Sequence, residues 1–382
     1  MALSETDLAE LKTFRRALHA RPELSGEEAQ TACAISARLH ATQPDRLIEN
    51  LGGHGVAAAF CGAAPGPTLL FRAELDALPI SERSDAPHRS RAPGKAHLCG
   101  HDGHMAALCA LALDLSRQRP ASGRVVVLFQ PAEETGAGAS AVLADPAFAE
   151  IAPDLAFSWH NAPGLPLGLA ALRSGPVNCA SRGMRATLSG RTAHASQPET
   201  GVSPMPALSR LMPALTALGP GGALDAAYRL VTVTHARLGS PAFGVAPGEA
   251  EIWATLRTLT DDGMAALVEA AERLVREAAA ADSLGVAISY DDVFAHCENA
   301  REAVAPLARA LAAEGVRCGE WGLPMRASED FGRFRAVCPS AMFLLGAGEN
   351  RPALHNPDYD FPDALIAVAA RVLARTARDL LG

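Results

Sequence analysis

The stretch His97-Leu98-Cys99-Gly100-His101-Asp102-Gly103-His104 packs three imidazoles, one thiol and one carboxylate into eight residues. A thiolate and an imidazole two residues apart, as in Cys99 and His101, can grip one divalent ion. Further donors come from Gln130-Pro131-Ala132-Glu133-Glu134, from Trp159-His160-Asn161 and from Leu354-His355-Asn356-Pro357. Two-metal hydrolases hold their ions about 3.5–4 Å apart and draw bridging and terminal ligands from several segments. The adjacent carboxylates Glu133 and Glu134 can divide the work, one ligating metal while the other stays free as a base. A free carboxylate beside two dications is ionised, and it can accept a proton from a water that the ions acidify. The chemistry this set of residues suits is therefore metal-assisted attack of water on a polarised carbonyl, with the proton passed on to a leaving amine.

Taken one at a time these residues have ordinary readings. A lone His at a strand end is usually a hydrogen-bonded polar residue. A lone Cys is usually a buried thiol, and adjacent glutamates are usually solvated. Order and spacing together argue for a site, because function is read from a constellation.

The elements that must position these residues follow from hydrophobic periodicity. Residues 5–20 read as a helix, with Leu8, Leu11, Phe14 and Leu18 on one face, and a second helix runs from about 25 to 41. Apolar runs at 55–60, 67–72, 124–129 and 155–159 read as strands, and a helix is expected over 104–117. Alternation of strands with helices predicts an α/β domain with a mostly parallel, mixed sheet flanked by helices. Asp76, Glu134 and His160 then fall just past the carboxyl ends of strands, the rim where open α/β sheets bind ligands.

The character changes near residue 180. Strands at 182–190, 229–238, 251–259 and 287–290, with helices at 204–218 and 261–281, give a strand-helix-strand-strand-helix-strand order. That order resembles an α+β, ferredoxin-like sandwich. The predicted plan is a discontinuous catalytic domain, 1–180 and 292–382, with a smaller lid or dimerisation domain at 181–291 inserted at its surface.

Bulk properties bound the function. The chain has 382 residues, enough for about two domains, with 49% hydrophobic and 20% charged residues. A net charge of −8 and the lack of a basic, aromatic-interleaved stretch disfavour nucleic acid as a partner. No run of about 20 apolar residues predicts a membrane span, and the N-terminus carries no apolar signal core. The eight cysteines are scattered rather than spaced as a disulfide framework, so a reducing cytoplasm is expected. Cys33 and Cys109, both in apolar helical runs, are expected as buried thiols.

The segments FRAELDALPISE, HLCGHDGHMA, FQPAEETGAGA, SWHN, ASEDFGRF and LHNPDYDF occur in the order of the motifs of the metal-dependent aminoacylase/carboxypeptidase family. Within that family the chain most resembles hippurate hydrolases and indoleacetyl-amino acid hydrolases, over residues from about 8 to 380. The resemblance implies that Cys99, His101, Glu134, His160 and His355 hold two divalent ions, zinc, manganese or cobalt, with Cys99 shared. It implies that Glu133 is the general base and that Asp76 orients a ligand from behind. It also implies that His194, in the inserted domain, reaches the substrate carbonyl oxygen, in this family often in the partner subunit of a homodimer. Arg257 follows the family pattern as a contact to a substrate carboxylate, Asn161 is a candidate substrate contact, and Asp102 and His104 fit supporting roles.

Two departures from the family pattern lie in the inserted domain. Gly244 stands where relatives usually carry Asn, and Gln197-Pro198-Glu199 stands where close relatives often have Pro-His. If Glu199 faces the pocket, a cationic or polar side chain is favoured. A third, Glu74 in place of Asp, is a modest change of reach. The implied activity is hydrolysis of N-acyl amino acids, with a dipeptidase or carboxypeptidase using the same two-metal site as the alternative. A non-catalytic homologue is expected to lose at least one ligand, and here Glu133 and all five candidates are present.

Overall fold

The structure is a computed structural model and describes residues 3–382. It divides into two compact units. One runs to Val177 and takes in Glu298–Leu323 and Asp330–Gly382; the other is Asn178–Cys297 together with Pro324–Glu329.

The first unit is built on an eight-stranded sheet. At its centre four strands run parallel in the order Ser122–Gln130, Ala64–Glu74, Leu155–Pro163 and Ser340–Gly348. Gly55–Cys61 and Arg46–Leu51 extend one edge antiparallel, and the short strands Ala170–Ala171 and Cys318–Gly319 extend the other. The run Val125-Val126-Val127-Leu128 is buried on both faces, as a strand inside an α/β sheet must be. The helix His101–Arg117 lies on the Ala64–Glu74 strand and is itself covered by Glu5–His19 and Ala364–Leu381. Burial on nearly every side explains its sequence, Met105-Ala106-Ala107-Leu108-Cys109-Ala110-Leu111-Ala112, which has no polar face.

The second unit has four antiparallel strands in the order Arg229–Leu238, Glu249–Thr258, Ala180–Ser189 and Gly285–Phe294. The helices Met205–Ala217 and Asp261–Ala281 complete a ferredoxin-like βαββαβ sandwich. Met184, Ala186 and Leu188 alternate with Ala250, Ile252, Ala254 and Leu256 to form the apolar face under those helices. Asp261–Ala281 opens on Thr260, whose hydroxyl accepts from the Gly263 N–H, with Asp261 and Asp262 in the first turn where the helix dipole favours them. Pro324–Glu329 belongs with this unit because Met325 bridges Asn178 and the Cys179 N–H donates to the Ala327 carbonyl.

Several elements differ from their expected bounds. The helix expected from residue 104 begins at His101, because Gly100 takes φ 94° and turns the chain into the helix three residues sooner. His160 lies inside the strand Leu155–Pro163 rather than beyond it. Ser340–Gly348, a central strand, carries no alternation and was not anticipated. Cys109 is buried as expected, but Cys33 is exposed, on the solvent side of the helix Ala29–His40.

Candidate metal centre

The carboxyl ends of the parallel strands deliver most of the candidate ligands. Ala64–Glu74 leads to Asp76, Ser122–Gln130 leads to Glu133 and Glu134, and Leu155–Pro163 carries His160 near its end. Cys99 and His101 arrive at the N-terminus of the buried helix, and His355 in the loop after Ser340–Gly348. His355 has φ 68°, a left-handed conformation uncommon for a non-glycine residue, and its N–H donates to the Leu98 carbonyl at 2.9 Å. That hydrogen bond ties the His355 loop to the segment that carries Cys99.

The donor atoms fall into groups that share Cys99. One donor atom each from Cys99, His101 and His160 lie within 4.8 Å of one another, and so do donors from Cys99, Glu134 and His355. Cys99 Sγ is 3.4 Å from His160 Nε2, and His355 Nε2 is 3.6 Å from a Glu134 oxygen. His101 Nε2 lies 3.9 Å from Glu133 and 3.8 Å from Glu134. All five expected ligands and Glu133 are therefore brought together.

The surroundings of these groups suit divalent cations. His101 Nδ1 is 2.9 Å from the Asp76 carbonyl and His160 Nδ1 is 2.8 Å from the Asn161 carbonyl. A carbonyl only accepts, so each Nδ1 carries the hydrogen and each Nε2 is turned to the cluster. His101 Nε2 is buried with no hydrogen-bond partner. Burial alone would push the His101 imidazolium down, yet Asp76, Glu74 and Glu134 together carry it up to about 10. The same cluster, with burial, pushes the Cys99 thiol well above its ordinary range through Glu134 and Glu133. Burial pushes the His160 and His355 imidazoles down, helped by their histidine neighbours, which keeps them as neutral donors. A carboxylate-rich pocket holding neutral imidazoles and a thiol calls for positive charge, and bound divalent ions reverse the thiol's reluctance to ionise.

Behind the donors lies a layer that the motifs contained but residue-by-residue reading passed over. Asp76 Oδ2 accepts from Ser25 Oγ at 2.7 Å and from the Glu134 N–H at 2.9 Å, so Asp76 holds both His101 and the Glu134 backbone. Fully buried Arg72 pairs with Glu74 and Asp330, and Asp330 accepts from Gln130 Nε2 at 2.8 Å and from the Ala139 N–H at 2.8 Å. The Asp330 N–H donates to Glu133 Oε1 at 3.4 Å. Charged residues in the middle of apolar strands, such as Arg72 in Leu69-Leu70-Phe71-Arg72, were the available signal, since buried charges need partners. His104 sits between Glu74 Oε2, at 2.6 Å, and Asn161 Oδ1. The other end of the Asn161 amide donates to the Tyr359 hydroxyl at 2.7 Å. Both ends of that buried side chain are thus engaged, and Asn161 braces His104.

Gly100 and Gly103 are required where they stand. A Cβ on Gly100 would come within 2.3 Å of Asn161 Oδ1, and one on Gly103 within 2.4 Å of the Phe361 ring.

His194 and Arg257 belong to the second unit. His194 is exposed and pairs with Val245 in a short two-stranded sheet. Its Nδ1 accepts from the Ser196 N–H at 3.1 Å, which leaves the hydrogen on Nε2 as an outward donor. Arg257 is half-buried, with Nη1 donating to the Arg326 carbonyl at 3.0 Å and to Ser328 Oγ at 2.9 Å.

The model of the peptidase family M20/M25/M40 matches residues 70–379. Hippurate hydrolase of Campylobacter jejuni is 31% identical over 371 residues, 96% of this chain and 96% of its own. N-acetyl-L-cysteine deacetylase of Bacillus subtilis is 30% identical over 369 residues, 96% of this chain and 87% of its own. The crystal structure of a dinuclear metal binding peptidase of the M20 family from Bacillus subtilis has the same fold, with a TM-score of 0.81 and 26% identity over 99% of both chains.

Proposed function

The chain belongs to the peptidase family M20/M25/M40, and on that premise we propose that it is a metal-dependent amidohydrolase that splits N-acyl amino acids into a carboxylate and a free amino acid. The observation that carries this reading is the pair of donor groups meeting at Cys99, with Glu133 beside them. Cys99, His101 and His160 would hold one divalent ion, and Cys99, Glu134 and His355 the other. When bound, the two ions polarise the amide carbonyl and make water a stronger acid.

Glu133 takes the proton from the attacking water and delivers it to the nitrogen that leaves. Asp76 fixes the tautomer of His101 from behind. His194 donates from Nε2 to the carbonyl oxygen as negative charge gathers there. Arg257 meets a substrate carboxylate.

The thiolate favours zinc, while the imidazoles and carboxylate also suit manganese or cobalt. Leu238, Phe243 and Val245 are exposed apolar residues of the second unit, and Val245 pairs with His194, which supports a homodimer in which His194 serves the partner's site. Eight free cysteines support a cytoplasmic location, and no helix among the described residues is long and apolar enough to cross a membrane.

The test is amine release by metal-supplemented protein from a panel of N-acyl amino acids and dipeptides. Release from the acylated compounds is expected. Release from dipeptides alone would instead make the chain a dipeptidase, and silence across the panel would overturn the amide class assigned here.

A further inference from the structure

Two guanidinium groups of the second unit stand together without a carboxylate to answer them. Arg257 lies near the end of the strand Glu249–Thr258, and Arg326 on the returning segment Pro324–Glu329. Arg257 spends Nη1 on two neutral acceptors, the Arg326 carbonyl and Ser328 Oγ. Arg326 Nη2 reaches the Gly222 carbonyl at 3.4 Å, and its Cζ lies 5.9 Å from the centre of the Tyr228 ring. Neither arginine forms an ion pair among the described residues.

The contrast with the rest of the chain is sharp. Arg15 and Arg72, both buried, each meet at least two carboxylates. The chain carries 42 Asp and Glu against 34 Lys and Arg, so acids are not scarce. Arg257 nevertheless sits in a partly desolvated position that pushes its guanidinium down, with only a thiol and a phenol to offset it. A buried cation without an acid is costly unless something else supplies the negative charge.

A third donor completes the cluster. Tyr228 is 3% exposed, and its hydroxyl has no hydrogen-bond partner. Burial pushes its phenol up, so the hydroxyl keeps its hydrogen and stays a donor. Tyr228 packs with the buried Cys179 in one small cluster, Arg326 lies over the Tyr228 ring and Arg257 bonds the Arg326 carbonyl, which places all four groups in one neighbourhood. Two cations and an unused hydroxyl donor are what an anion with several acceptor oxygens requires. A single carboxylate balances only one of the two charges. Glu199 is exposed, in the short 3-10 turn Pro198–Thr200.

We propose that Arg257, Arg326 and Tyr228 form a carboxylate-binding site of the second unit, and that it selects N-acyl derivatives of acidic amino acids, whose two carboxylates match the two guanidinium groups. This rests on the reading of the chain as an N-acyl amino acid hydrolase and narrows its substrate class.

The test measures binding, by calorimetry, of N-acetyl-L-glutamate and of N-acetyl-L-norvaline to the metal-loaded Glu133→Gln protein. The glutamate compound is expected to bind at least about tenfold more tightly, the scale of one charge-assisted contact. Adding Arg326→Gln should remove most of that preference while changing the norvaline compound less than about twofold. Adding Tyr228→Phe should weaken the glutamate compound without lowering the melting temperature, since the hydroxyl bonds nothing in the protein. Equal binding of the two compounds, or an equal loss of both on Arg326→Gln, would overturn the proposal. Turnover by the wild-type chain separates the two readings: hydrolysis of the norvaline compound but not the glutamate one leaves the amidohydrolase standing and removes the acidic preference. Hydrolysis of neither, with the binding preference intact, removes the proposed activity and leaves the site.

Discussion

Arg15 Nε lies 2.6 Å from Asp102 Oδ2, and both side chains have no exposure. Asp102 follows His101 in the first turn of the buried helix, so this ion pair anchors the helix that carries a candidate ligand. Arg15 also meets Asp360 and Asp363 near the start of the last helix. Removing one partner of a buried pair leaves the other charge uncompensated, at a cost of about 3–5 kcal/mol. Arg15→Met is therefore expected to lower the unfolding free energy in urea by about that amount. A loss below about 1 kcal/mol would show that the pair is no better than a surface one.

His19 and Glu82 give the same region a pH signature. Burial opposes the His19 imidazolium, but Asp102 and Glu82 carry it up to about 9 from 6.5. Burial raises the Glu82 carboxyl, but His19, Ser84 and the Ser90 N–H bring it down to about 2 from 4.5. The histidine's contribution to stability is complete below 6.5 and is lost as pH rises through about 9. The glutamate's contribution is present above 4.5 and is lost as pH falls through about 2. His19→Gln should thus cost most between those two bounds, near pH 5–6.5, and the gap from wild type should close above pH 9. A gap that is constant from pH 5 to 10 would mean that the imidazolium contributes nothing.

How much of this was open to a reader of the sequence depends on where each signal sits. Asp76, Glu134 and His160 stand beside strong strand patterns, so their convergence at the carboxyl ends of the sheet followed from parallel topology, whereas the full ligand set with Cys99, His101 and His355 came from the family resemblance. The ferredoxin-like unit was legible because Met184, Ala186, Leu188 and Ala250, Ile252, Ala254 alternate cleanly. Ser340–Gly348 was not, because a strand buried on both faces shows no period. The early start of the helix at His101 depends on the positive φ of Gly100, which composition does not reveal. The roles of Arg15, Asp330 and Tyr359, and the engagement of Asn161, are long-range pairings, and no local pattern carries those.

Gly100 offers a test of the close approach that sets the helix start. Gly100→Ala adds a methyl against Asn161 Oδ1 at φ 94°, whereas Gly26→Ala, at φ 82°, has nothing within 4 Å of the new atom. Strain alone should cost Gly26→Ala about 1 kcal/mol, and Gly100→Ala should lose clearly more and also bind less metal. Equal melting temperatures for the two variants would remove the steric argument.

The metal centre should compete with protons. Asp76, Glu74 and Glu134 carry the His101 imidazolium up to about 10 against burial, and burial with Glu134 and Glu133 pushes the Cys99 thiol well above its ordinary range. Both must lose protons to serve as ligands, so affinity rises with pH and binding releases protons. Zinc titrated into chelator-stripped protein should bind more tightly at pH 8 than at pH 6, with heats that vary with the buffer's ionisation enthalpy. Binding that ignores pH and buffer would place the ions elsewhere.

The most direct measurement compares wild type with Glu133→Gln for metal content and for amine release from an N-acyl amino acid. Two divalent ions per chain are predicted in both proteins. Amine release should fall by about 10²–10⁴ in the variant, the range expected when a general base is lost. Undiminished release from Glu133→Gln, with both ions bound, would contradict the role given to Glu133 and the mechanism built on it.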